Sequence, residues 1–147
     1  MTSPKQGRRW PPRPRNPVSG LDITPHLPAG RQLIEGYGGG AFRIASIRHQ
    51  GSVLVFPTLT QSWSAVCAED ISLDSLSALP ALTEDNPADI LIVGCGEVFL
   101  PPPAGLKDGL REWGLVLEWM DTGAACRTFN VLLAEERAVA AALIAVD

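Results

Sequence analysis

A thiol beside a guanidinium near the start of a helix is an arrangement that chemistry can use, and Cys126-Arg127 stands that way behind Asp121-Thr122-Gly123. Helix N-termini and adjacent cations lower a thiol's pKa and raise its reactivity, which makes Cys126 a candidate nucleophile. A nucleophile needs a base, and neither histidine supplies one. His26 falls in or near a proline-rich stretch, and no motif ties His49 to Cys126. With the catalytic set incomplete, an enzyme is not expected; a small buried thiol between Ala125 and Phe129 is the simpler reading. The same segment offers a second chemistry. Free backbone N–H groups at the helix start, with Arg127 close by, suit a phosphate or carboxylate. Gly94-Cys95-Gly96, which ends an apolar run, would open on the same crevice if the two preceding strands are parallel. The candidate ligand-binding residues are therefore Gly94, Cys95, Gly96, Asp121, Thr122, Cys126 and Arg127. Against a ligand stands the ordinary role of Asp121 or Thr122 as a helix cap, which places an oxygen where an anion would sit.

Other polar residues carry less. Glu118 is a lone acid in an apolar strand with no partner carboxylate or histidine at a catalytic spacing, so an ion pair or a solvent-facing position is expected. Tyr37, set among glycines, is either a stacking platform or a packed ring beside a turn. Cys67, Cys95 and Cys126 form no CxxC pair and have no histidine at a metal-ligand distance in sequence, which argues against a zinc site or a disulfide framework and for a reducing compartment. After Gly94-Cys95-Gly96 the third glycine of a dinucleotide fingerprint is replaced by Phe99. No cofactor and no metal is expected.

The elements that would position these residues follow from apolar pattern. Leu33-Ile34-Glu35 and Phe42-Arg43-Ile44 flank a glycine-rich turn and read as two short strands. Val53 to Phe56 reads as a strand buried on both faces and stopped by Pro57. Ser72 reads as the cap of a short helix in which Leu73, Leu76 and Leu79 recur until Pro80 ends it. Ile90 to Val93 is a second two-sided strand. Pro101 to Pro103 open a helix through Leu106, Leu110 and Trp113 with Gly114 as its stop, weakened by Gly105 and Gly109. Leu115 to Trp119 is a strand, Thr122 to Glu135 a helix, and Val139 to Val146 a last strand, although its Ala-rich start could also extend the helix. The second half is thus a βαβαβ unit with parallel strands, after a β-rich first half.

At 147 residues, with 46% of them hydrophobic, the chain suits one domain, and no apolar stretch approaches the roughly 20 residues that span a bilayer. Charge is distributed unevenly: six of the twelve Lys/Arg fall in residues 1–31, where Asp22 is the only acid of the sixteen. Residues 1–30, rich in proline and arginine, read as a disordered arm, and residues 31–147 as a single α/β domain. The arm has neither the apolar core of an export signal nor the amphipathic helix of a mitochondrial presequence. The acidic body repels phosphate backbones and the arm has one aromatic, Trp10, so nucleic acid is not an expected partner.

Taken in order, Ile34-Glu35-Gly36-Tyr37-Gly38, Gly51-Ser52-Val53-Leu54-Val55, Trp63, Asp89 through Gly96, Met120-Asp121-Thr122 and Ala125 through Leu132 resemble a small domain-of-unknown-function family of archaea, bacteria and mitochondria. Its mitochondrial branch includes NADH:ubiquinone oxidoreductase complex assembly factor three. The resemblance covers roughly residues 30–146. It implies a three-layer α/β fold around a central mixed sheet and no established enzyme activity; the family often carries Thr or Arg where Cys95 stands. The function expected from it is a non-enzymatic, assembly-factor-like protein–protein interaction, with an anion-binding crevice as the alternative. The partner is then a protein, with a homodimer through an exposed sheet edge as a further option, and the location is the cytoplasm in a bacterium or the mitochondrion in a eukaryote.

Overall fold

The computed structural model describes residues 27–147; the arm expected over residues 1–30 lies outside the described residues except for its last four. Within these residues eight strands and three α-helices follow in the order β1 (Ile34–Gly38), β2 (Ala41–Ile44), β3 (Ile47–Gln50), β4 (Val53–Phe56), β5 (Leu59–Ser62), α1 (Leu79–Asp85), β6 (Ile90–Gly94), α2 (Leu106–Glu112), β7 (Val116–Met120), α3 (Thr122–Ala134) and β8 (Val139–Leu143). They build a three-stranded sheet, β1-β2-β3, and a five-stranded mixed sheet in the order β5-β4-β8-β6-β7. The strands β7, β6 and β8 run parallel, while β4 pairs antiparallel with both β5 and β8. The expected β-rich first half and βαβαβ second half are both present.

Alternation of side chains across the central sheet creates two cores, one on each face. Leu54, Phe56, Leu91, Val93, Ala140 and Ala142 point to the face covered by Leu106 and Leu110 of α2 and by Leu76 and Leu79. Val53, Val55, Ile92, Val139, Ala141 and Leu143 point to the other, where Ala125, Phe129 and Leu133 of α3 pack together with Ile34, Phe42 and Ile44 of the small sheet. Helices on opposite faces are what right-handed crossovers require when β6 leads outward to β7 and β7 leads back past β6 to β8. Leu27 already packs against the second core.

Several sequence expectations need correction. The helix expected from Ser72 to Leu79 is instead a run of turns, and α1 starts at Leu79 with Pro80 in its first turn. Proline is a starter at that position because the missing N–H would have no partner there anyway. Upstream, Ser72 and Ser75 exchange bonds, each backbone N–H donating to the other's hydroxyl at 2.9 and 3.1 Å, and such local bonds compete with helix. Pro101–Pro103 stay outside a helix; α2 begins at Leu106 after Gly105, whose φ is +85°. Gly109 is more than a weak point in α2, since a Cβ there would overlap the Leu73 side chain. β3 and β5 lack a sequence signal because their residues are mostly polar and largely exposed or half-buried. The last strand ends at Leu143, three residues short of Val146.

Candidate functional site

The carboxyl ends of β6, β7 and β8 converge on one buried hydroxyl. The Thr122 Oγ1 accepts from the Gly96 N–H at 3.0 Å and donates to the Ile144 carbonyl at 2.8 Å, with the side chain fully buried. Its backbone N–H donates to the Gly96 carbonyl at 2.9 Å, and the Cys95 N–H donates to the Met120 carbonyl at 2.8 Å. Gly94 permits this closeness: a Cβ on it would stand 2.8 Å from Thr122 Cα. The glycines of Gly94-Cys95-Gly96 therefore serve the packing of a helix start onto a strand end.

Asp121 caps α3, its Oδ1 accepting from the Ala124 N–H at 2.9 Å. Gly123 lies beneath the Tyr37 hydroxyl, which would be 2.6 Å from a Cβ at that position. Tyr37 thus reaches from β1 across the first turn of α3 while the residue stays 45% exposed. The groups that would have held an anion are engaged: a carboxylate occupies the cap, the Thr122 hydroxyl is doubly bonded, and Tyr37 covers the next residue. The anion-binding crevice finds no support here.

Cys126 is buried among Ala125, Phe129 and the small sheet. Burial pushes its thiol up to about 12, Arg127 opposing the shift and Asp121 adding to it. An activated thiol would be shifted the other way. Arg127 is exposed and makes no ion pair among the described residues. Together Cys126 and Arg127 line a cavity of about 370 Å³ with Ile34, Glu35, Gly36, Tyr37 and Asn130. The Asn130 amide closes its inner side, donating to the Ile34 carbonyl at 2.8 Å and accepting from the Ile34 N–H at 2.9 Å.

Cys95 and Gly96 open on a second depression, so four of the seven candidate residues are divided between two depressions, and Gly94, Asp121 and Thr122 line neither. The second depression, about 590 Å³, lies between the loop after β6 and the tail after β8. The segment after β5 forms its other wall, from Trp63 to Glu69. It lies outside the carboxyl ends of β6 and β8, the end of a parallel sheet at which α/β proteins tend to bind. Val66, Val98 and Leu100 beside it are 75%, 68% and 40% exposed, and Glu69, Glu97 and Asp147 line it without any Lys, Arg or His among the described residues. Trp63 anchors the outer wall through its indole N–H, which donates to the Ser75 carbonyl at 2.7 Å. Sequence reasoning missed this groove. The only signal for it was the run Val98-Phe99-Leu100, apolar yet followed by prolines.

A family model described as "Protein of unknown function (DUF498/DUF598)" matches residues 34–144, the whole span from β1 to the end of β8. The chain belongs to the DUF498/DUF598 family. Among its relatives, an uncharacterised protein of Rhodobacter capsulatus is 39% identical over 116 residues, covering 79% of this chain and 86% of the relative. The NADH dehydrogenase [ubiquinone] 1 alpha subcomplex assembly factor 3 of Drosophila melanogaster is 39% identical, over 76% of this chain. This chain spans 58% of the length of the fly protein. A crystal structure described as an outer membrane protein from Bartonella henselae superimposes with a TM-score of 0.72 at 38% identity, covering 83% of this chain and 100% of that one. The two share the α/β fold described above, in which helices and the small sheet cover both faces of a central mixed sheet. Among the described residues no helix is long and apolar enough to cross a membrane.

Proposed function

We propose that this chain is a non-enzymatic interaction protein that serves the assembly of NADH:ubiquinone oxidoreductase. The observation that carries this reading is the 39% identity to the fly assembly factor. Residues 31–147 act as one docking domain for a protein partner, with residues 1–30 as an accessory arm, in the bacterial cytoplasm or, in a eukaryote, the mitochondrion. The buried, unactivated Cys126 and the engaged start of α3 favour an interaction role over thiol catalysis or anion binding.

Deleting the gene in its own host tests the proposal. Membranes of the deletion strain should lose assembled NADH:ubiquinone oxidoreductase and its activity while succinate dehydrogenase is unchanged, and re-expression of the chain should restore both. Normal levels of the assembled complex in the deletion strain would overturn it.

A further inference from the structure

The groove beyond β6 and β8 is apolar at its floor and acidic at its rim. Ala65, Cys95 and Ile144 are buried within it, Val66 and Val98 stand exposed beside them, and Glu69, Glu97 and Asp147 supply three carboxylates with no basic side chain among the described residues of its lining to balance them. Its volume of about 590 Å³ is in the range of pockets that enclose a drug-sized group, roughly 300–1,000 Å³. An occupant with complementary chemistry would carry a large apolar or aromatic anchor flanked by cations, because carboxylates at the edge of a low-dielectric surface favour positive charge.

This chain contains such a segment. Residues 5–15 read Lys-Gln-Gly-Arg-Arg-Trp-Pro-Pro-Arg-Pro-Arg, with five cations, no acid and Trp10 at the centre. The described part begins at Leu27, and Gln32 is tied to the Pro57 carbonyl at the end of β4 remote from the groove. A strand of four residues spans only about 13 Å, whereas the 17 residues from Trp10 to Leu27 can extend to about 53 Å at roughly 3.1 Å per residue. The tether is long enough to bring Trp10 around the sheet to the groove. We infer that residues 5–15 of the same chain dock in this groove, Trp10 on the apolar floor and the neighbouring arginines on the carboxylate rim. The inference is independent of the assembly role.

Cys67 reports on it directly. It is the exposed cysteine and lines the groove, while Cys95 and Cys126 are buried. A tethered segment sees an effective concentration in the millimolar range, so an intrinsic affinity of only ~0.1 mM would shield Cys67 about tenfold. The rate of Cys67 alkylation is measured in the full chain and in Trp10→Ala, Arg8→Glu/Arg9→Glu and Glu97→Lys variants at one pH. The two arm changes fall outside the described fold, and a matching unfolding midpoint checks that Glu97→Lys leaves it intact. Docking predicts that all three variants label about tenfold faster than the parent, that high salt accelerates the parent by screening, and that the parent's rate does not depend on protein concentration. Equal rates in parent and arm variants would overturn the inference and leave the groove open to a segment of another protein. Protection that disappears on dilution would overturn it too, by assigning the occupant to a second copy.

Discussion

One hydroxyl at Thr122 joins the ends of three parallel strands, so removing it leaves both the Gly96 N–H and the Ile144 carbonyl without that partner in a site water does not reach. Thr122→Val should cost about 1–3 kcal/mol, the desolvation penalty of unpaired buried groups, whereas Thr122→Ser should retain most of the stability; urea unfolding of the two variants makes the comparison. At Cys126 the prediction concerns pH. The unfolded thiol ionises near 9.0 and the folded one near 12, so the native state keeps a proton that the unfolded chain gives up. The contribution is whole below pH 9 and is lost as pH rises through 12, by up to ~1.4 kcal/mol per pH unit. Cys126→Ala should flatten that part of the stability profile, and the difference between the two unfolding curves isolates the thiol from other titrating groups. A helix cap at Asp121 or Thr122 was legible in the chain because such a residue before an apolar-periodic segment is a strong start signal, and Asp121 fills the role. The double role of Thr122 was not, since its partners lie 22 and 26 residues away in sequence.

Elements with a strong apolar pattern announced themselves. β6 is a continuous apolar run, α3 carries Ala125, Phe129 and Leu133 on one face, and both appear close to their expected bounds. The edge strands β3 and β5 did not, because Arg48, His49 and Gln50 in β3 and Thr60, Gln61 and Ser62 in β5 have little apolar surface to bury. β8 shows the opposite balance: three consecutive alanines would suit a helix, yet the strand is fully buried between β4 and β6, and that setting overrides local propensity. What stops α3 from running on is Glu136, which holds φ at +59°. A glycine occupies that conformation without the penalty of a Cβ, so Glu136→Gly should raise stability by roughly 1 kcal/mol, read as a higher thermal midpoint. Gly94→Ala should do the reverse at the other end of the helix, costing about 1–3 kcal/mol by forcing the start of α3 away from β6. The groove was illegible for a related reason. Its walls come from three segments that only the strand order brings side by side.

At the scale of the whole molecule, β7 is an edge of the central sheet, and its outward row includes exposed Val116 and Glu118. Antiparallel pairing of two such edges about their centres would set Glu118 against its own copy, and like charges opposite one another are destabilising. Glu118→Val should therefore promote self-association, detected as a concentration-dependent mass by sedimentation equilibrium. The order β5-β4-β8-β6-β7 has a further consequence for biosynthesis. Of the described strands, the last to leave the ribosome is the one that separates β4 from β6. Until residues 139–143 emerge, the two halves of the sheet have no common strand, and each presents an unpaired apolar edge to whatever else is in reach. The nascent chain must be kept from wrong partners until that strand has been made, and the central sheet closes in a single event when it is inserted.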